Sequence, residues 1–251
     1  MPIDPMRQLL CSGTSGLVLP VPQSLYPPEF HGRSRLEYYA SMFNSVEINS
    51  SFYKMPRTAT IKKWIDSVPD HFQFTFKLPK EISHAKGLIF NPELVENFMN
   101  VIEVANDKRG CLLVQFPPSL KFDLISEVER LLISINSANL SKWKIAVEFR
   151  NTSWYNDELY ALLDKHNACM VQHDLPASAA PDYQPIINFE YFRFHGPEGT
   201  YRGSYSNDFL IQKAQEVKIG LQKGKQVYCY FNNTMGDAIK NLQTLNDHVN
   251  S

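Results

Sequence analysis

The sequence predicts an α/β protein that folds as one (β/α)8 TIM-like barrel spanning residues 1–251. Three observations support this fold class. Eight short runs rich in β-forming residues alternate with segments of helical period, which is typical of βα units around a parallel sheet. No linker, low-complexity tract or internal repeat divides the chain. A length of 251 residues is also usual for a single barrel domain.

The predicted strands are short apolar runs. They cover residues 9–13, 45–49, 72–78, 110–116, 144–149, 168–173, 190–195 and 226–231. Eight parallel strands with intervening helices favour closure into a barrel. An open, doubly wound sheet is the alternative, but no glycine-rich dinucleotide turn follows the first strand.

The predicted helices lie between these strands. They cover residues 34–43, 58–68, 91–107, 122–135, 156–167, 206–224 and 235–249. In the third of them, Asn91 is the expected N-cap, followed by Pro92 at the first helical position. Thr58 or Thr60 and Asp123 are the expected caps of the second and fourth helices. Residues 175–188 contain three prolines and no helical period, which predicts an irregular connection between strands six and seven.

Composition narrows the function classes. The 25 basic and 26 acidic residues are spread along the chain, so no basic block indicates a nucleic-acid binder. No apolar run is long enough to cross a membrane, and the N-terminus lacks the features of a secretory signal, so a cytoplasmic protein is expected. Cys11, Cys111, Cys169 and Cys229 form no CxxC pair and lie in apolar runs, which predicts reduced core cysteines.

Charged residues mark the carboxyl ends of the predicted strands. Strand five ends in Glu148 and Arg150, which are two residues apart and therefore share a face. Other strands end in the same manner and supply Glu47, Asn49, Lys77, Gln115, Asp174, Arg193, His195 and Asn232. Since the carboxyl ends of barrel strands carry the functional residues of this fold, the pattern predicts a ligand site there.

The residue types suggest roles in acid/base chemistry on a small anionic or polyhydroxylated metabolite, which could be phosphorylated. Glu148 is the predicted general acid or base, with Glu47 or His195 as the second proton-transfer group. Lys77, Arg150 and Arg193 would hold the anion. Asn49, Gln115, Asp174 and Asn232 are the remaining predicted ligand-binding residues. The reaction could be that of a hydrolase, a lyase or an isomerase, and no cofactor is identified.

Two other interpretations of the same charges stay open. Glu148 could form a structural ion pair with Arg150 or Arg193. Glu47, Glu148, Asp174 and His195 could instead bind a divalent ion. The nearby lysine and arginines would compete for these carboxylates, so a site without metal is favoured.

The loops suggest two further possibilities. Glycines in residues 195–206, together with residues 232–237 before the last helix, could provide a phosphate site. The first loop, residues 14–34 with Pro20 and several other prolines, could cover the site or pack on the surface. The alternative to an enzyme is a binder of nucleic acid or a protein partner, in which Tyr26, Phe30, Tyr201 and Tyr205 act with Arg33 and Arg202.

Several motifs are shared with a known family. They are GTSG, RLEYYASMFNSVEINSSFYKMP, FKLPKEISH, LLVQFPP, AVEFRNTSW, HDLP, FRFHGPEGTYRGSYS and YFNNTMGDAIKNLQTL, and they run from Gly13 to Leu245. Together they resemble the YecE-like family, whose biochemical function is unknown. The resemblance implies a TIM-like barrel and names no reaction.

The resemblance also implies that the family's motif residues fall on the ten predicted site residues. These are Glu47, Asn49, Lys77, Gln115, Glu148, Arg150, Asp174, Arg193, His195 and Asn232. Two departures lie beside the predicted site. Leu17 stands where the family tends to have tryptophan, and Asn151-Thr152 replaces an HPS-like continuation. They leave the ligand preference open.

Overall fold

A computed structural model of the chain describes residues 9–19, 21–183 and 186–251. Each of the eight β-rich runs contains a strand, as predicted, and the sixth run is divided in two. The strands are β1 (Leu10–Thr14), β2 (Ser45–Ile48), β3 (Gln73–Lys77), β4 (Arg109–Gln115), β5 (Lys144–Glu148), β6 (Ala168–Met170), β7 (Gln172–His173), β8 (Phe189–Phe194) and β9 (Gln226–Phe231).

These strands form two parallel sheets, and the prediction of one closed eight-stranded TIM-like barrel is wrong. One sheet has the strand order β1-β9-β8-β7, and the other has the order β2-β3-β4-β5-β6. Every pairing between named strands is parallel. The α/β class is therefore confirmed, while the sheet topology differs from the prediction.

The first separation between the sheets lies between β1 and β2. The Asn44 side chain occupies this junction, where its Oδ1 accepts from Ser12 N at 2.9 Å and its Nδ2 donates to Leu10 O at 2.6 Å. These β1 backbone groups therefore bond to a side chain and not to the β2 backbone. A single isolated bridge, between Ser15 and Glu47, connects the two strands.

The second separation lies in the sixth run, at Val171. β6 pairs with β5 in one sheet, whereas β7 pairs with β8 in the other. Val171 N still donates to Val147 O at 2.8 Å. The chain thus passes from one sheet to the other at this residue, and neither segment forms a ladder with both neighbours.

The helices lie where the sequence predicts them, with two additional short ones. They are α1 (Arg35–Met42), α2 (Ser50–Tyr53), α3 (Thr58–Asp66), α4 (Lys80–Ser83), α5 (Pro92–Ile102), α6 (Ile125–Ala138), α7 (Asp157–Lys165), α8 (Asn207–Gln222) and α9 (Ala238–Asn250). Among the described residues, no helix combines the length and apolar character that crossing a membrane requires.

The predicted helix caps are correct in one case of three. Asn91 Oδ1 accepts from Glu93 N at 3.0 Å, which confirms Asn91 as the N-cap of α5. The cap predicted at Thr58 or Thr60 is wrong, since α3 follows Arg57 and has no side-chain cap. Asp123 is not a cap either, because it lies in a 3-10 turn that precedes α6.

The connection between strands six and seven is irregular, as predicted. Its described part forms turns and bends, and Gln184 and Pro185 lie outside the described residues. Tyr183 fixes it to α7, since its ring stacks on Tyr160 at 4.3 Å and its hydroxyl donates to Asp164 Oδ1 at 3.2 Å.

The cysteines and the first loop are buried to different extents. All four cysteines are free and buried, as predicted.

In the first loop, Tyr26 is 4% exposed and its ring lies 4.3 Å from that of Tyr38 in α1. Leu25 beside it is exposed. This part of the loop therefore packs on the surface of α1, while Pro20 lies outside the described residues.

Candidate functional site

Three fully buried charged side chains meet between the two sheets. Arg193 of β8 donates from Nε to Glu47 Oε2 at 3.0 Å and from Nη2 to Glu47 Oε1 at 2.6 Å. Its Nη1 donates to Glu148 Oε2 at 2.7 Å. Glu47 and Glu148 belong to β2 and β5 of the five-stranded sheet, so the arginine of one sheet is held by two carboxylates of the other.

Glu47 has further hydrogen-bond donors. Ser15 Oγ donates to Glu47 Oε1 at 2.6 Å, and the Tyr191 hydroxyl donates to Oε2 at 2.5 Å. Burial acts to raise the pKa of Glu47, but the charge of Arg193 and these hydrogen bonds outweigh burial and lower it. Glu47 is therefore ionised at neutral pH.

Arg150 lies on the solvent side of Glu148. Its Nε donates to Glu148 Oε1, and its Nη1 donates to the Tyr201 hydroxyl at 3.2 Å. The Arg150 side chain is 11% exposed, whereas that of Arg193 is fully buried. Burial acts to raise the pKa of Glu148, but the two guanidinium charges hold it well below its usual range. We refer to Glu47, Glu148, Arg150 and Arg193 as the charged cluster.

His195 contacts both arginines of the charged cluster. Its Nε2 lies 3.2 Å from Arg150 Nη2 and 3.3 Å from Arg193 Nη1. A guanidinium can only donate, so Nε2 is the acceptor and the proton is on Nδ1. Nδ1 lies 3.2 Å from Asp174 Oδ1, and Asp174 also accepts from the Tyr205 hydroxyl. Burial lowers the pKa of His195 to about 4, so the ring is neutral at neutral pH.

Lys77, at the end of β3, is the third predicted cation at the site. Its Nζ lies over the Phe52 ring, 4.1 Å from the centroid. Among the described residues, the Lys77 Nζ has no hydrogen-bond acceptor and no ion-pair partner. Burial and the charge of Arg193 lower the pKa of Lys77 to about 8.

The remaining predicted residues are less involved with the charged cluster. Asn49 precedes α2, and its buried Oδ1 has no hydrogen-bond partner among the described residues. Gln115 Nε2 donates to Phe116 O at 2.6 Å. Asn232 donates its backbone N–H to Phe194 O at 2.7 Å.

Five residues at the site are absent from the predicted set of ten. Ser15, His84 and Tyr191 had no predicted role, and Tyr201 and Tyr205 were considered only for the alternative binder. Tyr191 could have been found, because it shares a strand face with Arg193. His84 directly follows α4. Its ring lies 4.9 Å from that of Phe52, and burial followed by the charge of Lys77 lowers its pKa to about 4.

The glycine-containing loops bond mainly to each other. Gly196 N donates to the Tyr205 hydroxyl at 2.5 Å, and Gly199 N donates to Gly196 O at 2.8 Å. Asp237 N donates to Gly203 O at 3.1 Å. These three backbone donors are already used within the loops and are therefore not available to an anion.

The metal and binder interpretations receive little support from the geometry, whereas the ion pairs of Glu148 with Arg150 and with Arg193 are both present. In residues 9–19, 21–183 and 186–251, no three His, Cys, Asp or Glu side chains are grouped so that they could hold a metal ion. Of the aromatic residues considered for a nucleic-acid or protein binder, Tyr26 and Tyr205 are buried. Arg33 is paired with Glu37 at 3.0 Å.

Comparison with known proteins identifies relatives by sequence. The chain is 27% identical over 255 residues to the UPF0759 protein YunF of Bacillus subtilis strain 168, and the alignment covers 87% of each protein. It is 34% identical over 86 residues to the UPF0759 protein YecE of Escherichia coli K12, which covers 34% of this chain and 32% of YecE. These relatives confirm the YecE-like resemblance.

Two solved structures share the fold. A DUF72 family protein from Enterococcus faecalis V583 superposes with a TM-score of 0.78 at 21% identity, covering 96% of both chains. A DUF72 family protein from Thermotoga maritima MSB8 superposes with a TM-score of 0.72 at 25% identity, covering 96% of this chain and 99% of that one. Residues 12–251 match the family described as "Protein of unknown function DUF72", and the chain therefore belongs to that family.

Proposed function

We propose that this protein is an enzyme that binds a small anionic metabolite where the strands end and transforms it by acid/base chemistry. The observation that carries the proposal is the charge balance of the site. Glu47 and Glu148 are matched by Arg193 and Arg150, which leaves the Lys77 ammonium without an anionic partner among the described residues. Since a cation in a partly buried position is stabilised by an opposite charge, an anionic substrate group would complete the site.

Arg150 would be the residue that responds to the substrate. It lies on the solvent side of the charged cluster and already shares its guanidinium between Glu148 and Tyr201. A substrate anion that draws Arg150 away removes one of the two charges that hold the pKa of Glu148 low. The pKa of Glu148 then rises, and Glu148 can act as the general base.

His195 would be the second proton-transfer group. Its neutral ring presents the Nε2 lone pair to Arg150, and Asp174 fixes the tautomer through Nδ1. Movement of Arg150 would free this lone pair. Glu47, held by Arg193, Ser15 and Tyr191, would keep Arg193 in position.

The first prediction is that inorganic phosphate and sugar phosphates raise the melting temperature of the wild-type protein in a concentration-dependent manner. Arg150→Met should lose this stabilisation, because Arg150 is the exposed guanidinium of the site. Differential scanning fluorimetry measures the melting temperatures of wild type and variant with and without the anion. Arg57→Met is the matched control, since Arg57 is exposed on the surface and should respond as wild type does. Equal stabilisation of wild type and Arg150→Met would contradict the proposed site.

A further inference from the structure

Lys77 is held in position by two residues of the neighbouring helix α2, Ser51 and Phe52. Ser51 Oγ donates to Lys77 O at 2.7 Å and accepts from Lys77 N at 3.1 Å, which fixes the end of β3. The adjacent Phe52 provides the ring on which the Lys77 ammonium lies, 4.1 Å from its centroid. The side chain is thus supported on its apolar side, while its Nζ has no acceptor among the described residues.

A second lysine in the chain shows how a structural lysine is satisfied. Lys108 is also largely buried, and its Nζ donates to Ile65 O at 2.9 Å and to Val68 O at 2.6 Å. Lys77 has no equivalent bonds, although two glutamates lie nearby. The oxygens of those glutamates are bound by Arg150 and Arg193. A purely structural role therefore does not explain why Lys77 is placed here.

The surroundings also increase the share of Lys77 that is present as the neutral amine. Burial and the charge of Arg193 lower the pKa of Lys77 to about 8. At pH 7.5, an amine with such a pKa is in the neutral, nucleophilic form about 200 times more often than an ordinary lysine. His84 experiences the same positive surroundings, since the charge of Lys77 contributes to its lowered pKa.

We propose that Lys77 is a nucleophile that forms an imine with a carbonyl group of the anionic substrate, while Arg150 holds the anionic group. This inference rests on the proposed function and defines its substrate class as carbonyl compounds that carry an anionic group. The neutral Lys77 Nζ attacks the carbonyl carbon to form the C–N bond, and the carbonyl oxygen takes up the proton that the nitrogen loses. A second proton, taken from solvent, converts that oxygen to water, which leaves as the C–O bond breaks and the protonated imine forms. No oxidant or reductant is required.

Reductive trapping tests the proposal. The probe is pyridoxal 5′-phosphate, an aldehyde that carries a phosphate group, at limiting concentration and pH 7.5. Sodium borohydride then reduces any imine to a stable secondary amine, and mass spectrometry of the peptides quantifies the label on each lysine. We expect at least about tenfold more label on Lys77 than on any other lysine, because its amine is more often neutral. Label on Lys77 no greater than on exposed Lys80 would overturn the proposal.

Variants separate this inference from the proposed anion site. Lys77→Arg keeps the positive charge, so it should retain stabilisation by phosphate but lose the preferential label. Lys80→Met, three residues further on and exposed, should label as wild type does. If phosphate stabilises wild type through Arg150 while Lys77 stays unlabelled, the anion site is supported and the nucleophile is wrong. If phosphate has no effect but unphosphorylated pyridoxal still labels Lys77 preferentially, the nucleophile is supported and the anion site is wrong.

Discussion

Arg193 determines whether the charged cluster can stay buried. Its side chain has no exposure to solvent, and its three nitrogens donate to Glu47 and Glu148. Charges in such a position are tolerated because each has a partner, and the loss of one partner leaves the others uncompensated. The two glutamates raise the pKa of Arg193, which therefore stays charged over the whole accessible pH range although burial acts in the other direction.

At this scale, we predict that Arg193→Met lowers the free energy of unfolding by about 3–5 kcal/mol, since two buried carboxylates lose their common partner. Urea unfolding followed by circular dichroism measures the loss. The comparison variant is Arg150→Met, which should lower the free energy of unfolding by a smaller amount because Arg150 lies on the solvent side of the charged cluster. A loss below about 1 kcal/mol for Arg193→Met would show that water can replace the guanidinium.

Among the secondary-structure elements, the junction of β1 and β2 decides the sheet topology. Gly13 lies here, and a Cβ built on it would be 2.0 Å from Ser45 O and 2.9 Å from the Tyr39 hydroxyl. The close approach of the β1 and β2 backbones therefore requires glycine, although the backbone groups do not form a regular ladder. The side chain of Asn44 supplies bonds in its place.

We accordingly expect Gly13→Ala to destabilise the protein by about 1–3 kcal/mol, because the added methyl group meets backbone atoms that cannot move independently. Thermal and urea unfolding measure the effect. Gly32→Ala is a useful contrast, since Gly32 has φ +80° but open space around its Cβ position. The change in stability of Gly32→Ala therefore reports backbone strain alone, because the added methyl group meets no neighbouring atom. If Gly13→Ala were as stable as wild type, the junction would be looser than its distances indicate.

On the scale of the whole molecule, the charged cluster links the two sheets. Arg193 comes from the four-stranded sheet, and both glutamates come from the five-stranded sheet. His195 of the four-stranded side lies against the same arginines. Protonation of this region therefore affects the contact between the sheets and, through it, the stability of the fold.

The corresponding prediction concerns pH. The pKa of His195 is about 4 in the folded protein against an ordinary 6.5, so the unfolded chain binds more protons between these values. The contribution of His195 to the free energy of unfolding is fully present above pH 6.5. It is lost as the pH falls to 4, by an amount on the order of 3 kcal/mol. The lowered pKa values of Glu47 and Glu148 add a further loss below pH 4.5.

Urea unfolding at a series of pH values tests this prediction. His195→Gln should show a shallower decline between pH 6.5 and 4, since it lacks the titrating ring. His71→Gln, at an exposed position, is the control and should follow wild type. Identical slopes for wild type and His195→Gln would mean that His195 is not held neutral.

Much of the site was predictable from local sequence. Side chains in a strand alternate between its faces, so the spacing within each run was enough to place Glu47, Glu148 and Arg193 near the strand ends. Short β-rich runs located the strands, and the helical spacing of apolar residues located the seven longer helices. Their order along the chain also indicated the α/β class, because each βα unit is a local structure.

Sheet closure and the partners of individual groups could not be read in this manner. Whether β1 pairs with β2 depends on Asn44, a residue separated from its partner Ser12 by 32 positions, and no periodicity encodes such a bond. His84 likewise reaches the site through its contact with Phe52, far from it in sequence. Hydrogen bonds and charge fields between distant segments exist only once the chain is folded. This is why the two sheets, the position of Arg150 between Glu148 and Tyr201, and a Lys77 Nζ without an acceptor among the described residues emerged from the tertiary structure.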